Sequence, residues 1–166
     1  MLYGGPGSGK STLAHYLMYR LKAAGMQADL AREVVKRRAF TDPTPPDPIV
    51  GQAMLLGQQL EEELAAVKTG AIVVSDSPIL LQAAYSSGTL AAATIRAAHR
   101  LEEQSPATHI FVQRDPRRFT TAGRWGTLQD AEAMDHRIRT LLDMNNFKYV
   151  AVQYGDLDSL WTHATT

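Results

Sequence analysis

The chain has 166 residues and a mass of 18.2 kDa, which is one domain's worth, and a chain of this size buries about two thirds of its unfolded surface in a single core. Seventeen Lys and Arg residues balance seventeen Asp and Glu, giving a formal net charge of zero and a pI of about 7.0; the global basicity of a nucleic-acid coat or a membrane-surface binder is excluded, so any anion site must be local. With 45% hydrophobic residues, 20% charged residues and no cysteine, the composition is that of a globular protein without disulfides, thiolate nucleophiles or Cys-based zinc.

No apolar run approaches the ~18 residues of a membrane span, and Lys10 interrupts the N-terminal apolar residues; a soluble cytoplasmic protein with no membrane partner is expected. Short apolar runs alternate with longer helical patterns, the sign of βαβ units and a mostly parallel sheet. A first strand at residues 1–3, short for a central strand, leads to a helix over 11–24, where Leu13, Tyr16, Leu17 and Leu21 fall at helical spacing and Gly25 is placed to close the C-terminus. A second strand at 26–32 is followed by a helical pattern over 33–40. The run 41–48 then holds four of the eight prolines, which marks an extended surface loop. A helix over 49–68 ends at Gly70, and Ala71-Ile72-Val73-Val74-Ser75 reads as a third strand buried on both faces. Helices over 79–86 and 90–104 flank Gly88, and a fourth strand at 108–114 precedes a polar loop over 115–126. Thr127 and Asp130 have the spacing of a capping box, with Asp in place of the usual Glu, for a helix over 127–144. A fifth strand at 149–154 and a terminal helix from 156 complete a single domain over 1–166.

Gly4-Gly5-Pro6-Gly7-Ser8-Gly9-Lys10-Ser11 satisfies G-x-x-x-x-G-K-[ST] directly after a strand and directly before a helix. Gly5, Gly7 and Gly9 leave room for backbone N–H groups to turn inward around phosphates, joined by Ser8 and by the unpaired N–H groups at Ser11 and Thr12 of the new helix. Lys10 is expected to reach the β- and γ-phosphates of ATP, and Ser11 to ligate Mg²⁺. Asp76 stands at the C-terminal end of the third strand, where a metal-organising carboxylate belongs; the competing reading is that Asp76-Ser77-Pro78 only caps the next helix. Glu33 follows the second strand and is positioned either to orient or deprotonate an acceptor hydroxyl, or simply to sit in a first helical turn favoured by the dipole.

Arg114, Arg117, Arg118 and Arg124 cluster after the fourth strand, suiting the charge of a transferring phosphoryl group. Arg124, between Gly123 and Trp125, is the choice for a lid over about 114–127 that closes on phosphate, with Arg114 and Arg118 as further ATP contacts. Arg32, Lys36, Arg37 and Arg38 form a second basic group on the acceptor side, or an exposed helix face. His15, His99, His109, His136 and His163 show no metal-ligand spacing, and Met18, Met26, Met54, Met134 and Met144 are expected to pack.

These residues resemble the small P-loop kinases of the nucleotide and nucleoside kinase type, and within them phage-encoded P-loop kinase/ATPase proteins. The likeness rests on residues 4–12, Glu33, Ser75-Asp76-Ser77-Pro78, and Gly123-Arg124 before a helix near Thr127. It implies a P-loop NTPase three-layer α/β/α sandwich with a five-stranded parallel sheet in the order 2-3-1-4-5, ATP and Mg²⁺ at the strand ends, and an Arg-bearing lid. In related deoxynucleoside kinases a Glu after strand two acts as base, which maps onto Glu33. The chain departs from the pattern in its truncated first strand and in reading Asp-Ser-Pro where many nucleoside kinases carry an Arg. The resemblance extends to phage 5-hydroxymethyluridine DNA kinases, which makes 5-hydroxymethyluracil in phage DNA the leading acceptor, in a host cytoplasm. The alternatives are a small-molecule deoxynucleoside or nucleoside monophosphate kinase and a P-loop ATPase without kinase activity.

Overall fold

The computed structural model describes residues 1–34, 47, 50–119 and 126–165. Strands β1 (Leu2–Tyr3), β2 (Ala28–Ala31), β3 (Ile72–Ser75), β4 (His109–Gln113) and β5 (Tyr149–Gln153) alternate with helices. These are α1 (Lys10–Ala23), α2 (Val50–Lys68), α3 (Ile79–Ala83), α4 (Gly88–Gln104), α5 (Leu128–Met144) and α6 (Leu157–Thr165), with a 3-10 turn at Pro116–Arg118. The expected helix over 33–40 and the proline-rich run over 41–48 fall almost wholly outside the described residues.

Every ladder is parallel, as the alternating pattern requires: β1 with β4, β2 with β3, and β4 with β5. The expectation of one five-stranded sheet in the order 2-3-1-4-5 is corrected. Hydrogen bonding divides the described strands into β1-β4-β5 and β2-β3, with no ladder joining β3 to β1. A cavity of about 310 Å³ is lined in part by Met1, Leu2, Leu17, Leu21, Val73 and Val74.

The two ladders still share a core, because strand side chains alternate between faces. On one face Leu2, Val74, Ile110, Val112 and Val152 meet Leu13, Leu17 and Leu21 of α1 and Leu160 of α6. On the other, Tyr3 and Phe111 meet Ile79, Leu80 and Leu81 of α3 and Ile138 and Leu142 of α5. Each such side chain contributes about 1.5–3 kcal/mol when fully buried, so α1, spanning both ladders, holds them together without the missing hydrogen bonds. At the end of α1, Gly25 N–H donates to Lys22 O and Met26 N–H to Leu21 O, both at 3.0 Å, the paired closure that the sequence anticipates. The Thr127/Asp130 capping box is formed at the start of α5.

The packing role expected of the methionines holds for Met18 and Met134 but is corrected for Met26, Met54 and Met144, which are exposed. Met54 and Met144 sit one and two residues from the buried Leu55 and Leu142, and at 100° per residue that places them off the buried stripe. No described helix is long and apolar enough to cross a membrane.

Candidate phosphate-binding site

The loop between β1 and α1 is shaped by close contacts that exclude side chains. Gly9, the N-cap of α1, has φ +99°, a left-handed conformation that costs an L-residue about 1–2 kcal/mol. A Cβ there would lie 2.1 Å from the Tyr154 ring, which follows β5. A Cβ on Gly5 would lie 2.6 Å from Ala131 O of α5. The first helical bond of α1 runs from Leu13 N–H to Gly9 O, leaving the N–H groups of Lys10, Ser11 and Thr12 without intrahelical acceptors. Ser8 is buried, and its hydroxyl has no hydrogen-bond partner among the described residues.

Lys10 is 7% exposed, and its ammonium donates to Gly4 O at 2.7 Å and Gly5 O at 3.1 Å. Burial lowers its pKa, opposed by the carboxylates of Glu33, Asp76 and Asp135. The fold therefore brings the ends of β1, β2 and β3 into one electrostatic neighbourhood: Lys10, Glu33 and Asp76 converge although they lie far apart in sequence. Tyr85 flanks the same region; it keeps 37% of its surface exposed, yet desolvation and the charges of Glu33 and Asp135 push its hydroxyl well up.

Asp76 is 4% exposed, and its Oδ1 has no hydrogen-bond partner among the described residues. The competing cap reading is not realised, since the N-cap of α3 is Pro78 with no side-chain cap bond, and the Ile79 N–H bonds instead to Glu63. An orphaned buried carboxylate oxygen is costly unless a ligand meets it, and Asp76 with the Ser11 hydroxyl supplies the hard oxygen donors that Mg²⁺ takes. No group of three or more His, Asp or Glu gathers as a metal site among the described residues.

The arginines separate into different roles. Arg114, at the end of β4, is spent on protein: its guanidinium pairs with Asp135 and bonds to Pro6 O and Ala131 O. Arg117 is exposed and pairs with Asp115, whose carboxyl its hydrogen bond holds below the usual range. Arg118 is exposed and stacks over the Tyr154 ring at 5.5 Å, next to Gly9. Arg32 is exposed beside the half-buried Glu33. Lys36, Arg37, Arg38, Arg124 and Trp125 lie outside the described residues. His109 is held by the Tyr3 hydroxyl and Glu102, a packing arrangement away from the phosphate loop.

Several site residues escaped the sequence reading. Gln59 and Glu63 of α2 are buried behind β3: Gln59 Oε1 accepts the Val34 N–H at 3.3 Å while its Nε2 has no partner among the described residues. Glu63 accepts from Ser75 Oγ at 3.0 Å, and burial pushes its carboxyl up to about 7. Gln82 donates to Ser77 Oγ, and its Oε1 has no partner among the described residues. The signal for the first two was present, because Gly51, Leu55, Gln59 and Glu63 recur every four residues on the buried stripe of α2. Asp135 and Tyr154 carried no such signal, being brought to the loop only by tertiary contact.

A family model described as an AAA domain (AAA_28) matches residues 1–159. The chain belongs to this AAA-domain family. Among solved structures, the deoxyadenosine kinase of M. mycoides with dCMP and a flexible dCDP bound superposes with a TM-score of 0.50 at 11% identity, covering 97% of this chain and 93% of that one. At that identity the likeness establishes the fold: this AAA-domain protein has a P-loop kinase-like α/β architecture. No curated protein matches it.

Proposed function

We propose that this AAA-domain protein is an ATP- and Mg²⁺-dependent phosphotransferase that moves the γ-phosphoryl group to a hydroxyl of a nucleotide, nucleoside or nucleic-acid base. The observation that carries this reading is the convergence of buried Lys10 with Glu33 and Asp76, with Asp76 Oδ1 left unpartnered among the described residues. The N–H groups at Gly7, Gly9, Ser11 and Thr12 cradle the phosphates, and Lys10 exchanges its carbonyl contacts for phosphate oxygens. Ser11 and Asp76 would hold Mg²⁺, which would supply neutralisation of the charge on the transferring group. Glu33 orients the acceptor hydroxyl and takes its proton as the new O–P bond forms and the bond from the γ-phosphorus to ADP breaks. Arg118 and, on the lid, Arg124 meet the nucleotide and its developing charge.

Exposed Arg32 adjoins Glu33 and the sequence continues with Lys36 and Arg37 on a chain of zero net charge, which favours a phosphate-bearing acceptor over a neutral nucleoside. The leading candidate is 5-hydroxymethyluracil in DNA, which rests on the sequence resemblance to phage DNA kinases alone; the AAA-domain match and the kinase-like fold are equally consistent with a small-molecule acceptor. A labelled-ATP transfer screen across nucleosides, nucleoside monophosphates, ordinary DNA and hydroxymethylated DNA tests it. Label on hydroxymethylated DNA, falling steeply with salt as phosphate contacts are lost, supports that acceptor. Transfer only to nucleosides or monophosphates establishes the small-molecule kinase, and ADP formation without any labelled acceptor establishes an ATPase.

A further inference from the structure

A glycine-rich loop loses more backbone freedom on ordering than any other segment, so the shape of this one must be imposed by its neighbours. Among the described residues, the charged side chains that bond to it from elsewhere in the chain are Asp135 and Arg114. Asp135 of α5 accepts the Gly5 N–H with Oδ1 at 2.5 Å and the Arg114 Nε–H with Oδ2. Arg114 in turn donates from Nη1 to Pro6 O at 3.0 Å and from Nη2 to Ala131 O at 2.9 Å. The side chains are 6% exposed for Arg114 and 17% for Asp135, so water screens the pair little.

The consequence follows from peptide geometry. A trans peptide points its C=O and N–H in opposite directions. Arg114 draws the Pro6 carbonyl toward α5, which turns the Gly7 N–H to the other side of the loop, the side left for a ligand. The Gly4–Gly5 peptide, two links earlier, is held at both ends: Lys10 takes the Gly4 carbonyl while Asp135 takes the Gly5 N–H. We propose that Asp135 is a positioning residue which, through Arg114 and the Gly5 amide, aims the Gly7 N–H at a nucleotide phosphate and so sets the affinity for the di- and triphosphate. This rests on the nucleotide-binding reading above.

Both carboxylate oxygens of Asp135 are used as acceptors, whereas an asparagine offers one acceptor and would turn an NH₂ toward a donor. Asp135→Asn should therefore weaken MgATP and MgADP binding by about tenfold or more, the equivalent of one lost charge-assisted hydrogen bond, and Asp135→Glu should recover most of it. Arg114→Lys, which keeps the charge but not the fork that reaches two carbonyls, should lose a similar factor and serves if Asp135→Asn fails to fold. Calorimetry with ATP and ADP, run well below each variant's melting temperature, gives the affinities. The ¹H–¹⁵N shift of the Gly7 amide on adding MgATP gives a readout that a merely structural role would not move: large in the wild type and Asp135→Glu, lost in Asp135→Asn and Arg114→Lys. Variants that bind both nucleotides like the wild type, with the Gly7 shift intact, overturn the proposal alone. A wild type that binds neither nucleotide overturns the proposal together with the reading on which it rests.

Discussion

Replacing Glu63 by glutamine should flatten the pH dependence of stability, and the expected size follows from where that carboxyl lies. It is 2% exposed, and burial raises its pKa from the ordinary 4.5 to about 7, against the opposing bonds from Ser75 and the Ile79 amide. Below pH 4.5 the folded and unfolded chains both carry the proton, and the group contributes no slope. Between about 4.5 and 7 the unfolded chain releases a proton that the folded chain keeps, so stability falls as pH rises. Above about 7 the penalty is complete, and at 1.36 kcal/mol per unit it amounts to about 3 kcal/mol. Urea unfolding at several pH values between 4 and 8.5 measures it. Other groups titrate in that range, so the quantity of interest is the difference between wild type and Glu63→Gln, which should grow by about 2–4 kcal/mol in favour of the variant across the window. Parallel curves for the two proteins would show that Glu63 titrates like an exposed carboxylate and is not the buried neutral group behind Asp76.

Asp76→Asn should weaken Mg²⁺-dependent transfer toward every acceptor, whereas Glu33→Gln should impair transfer while sparing ATP binding; calorimetry in which Glu33→Gln loses ATP as severely as a phosphate-loop variant would remove Glu33 from the acceptor side. Gly9→Ala should destabilise the fold by about 1–3 kcal/mol, because it imposes a left-handed alanine and drives a methyl into the Tyr154 ring. Measured against Tyr154→Ala, which removes the ring and its packing, Gly9→Ala should cost only the backbone strain, which thermal denaturation of the single and double variants will resolve.

What the sequence reveals and what it hides divide along physical lines. The phosphate loop, the close of α1 at Gly25 and the Thr127/Asp130 capping box are legible because each depends on residues a few positions apart. The end of β3 at Asp76 is legible for the same reason, since a run of β-branched residues stops there. The gap between β3 and β1 is not, because it depends on how two strands distant in sequence are brought together. Asp135 shows the same limit: on α5 it looks like any helical surface acid, and its partners Gly5 and Arg114 are 130 and 21 residues away. Glu63 and Gln59 fall between these cases, since their spacing on the buried stripe of α2 is readable, but the Ser75 hydroxyl and Val34 amide that receive them are not.

The most direct test is to follow γ-labelled ATP with the best acceptor from the screen, in the wild type and in Lys10→Ala. On the proposed function Lys10 carries charge to phosphate, and removing one preorganised charge from a transition state costs about 10²–10³ in rate. ADP formation in step with label appearing on the acceptor, reduced by about that factor in a folded Lys10→Ala protein, is the predicted result. Near-normal turnover by Lys10→Ala, or ADP release that ignores the acceptor and leaves it unlabelled, would contradict it.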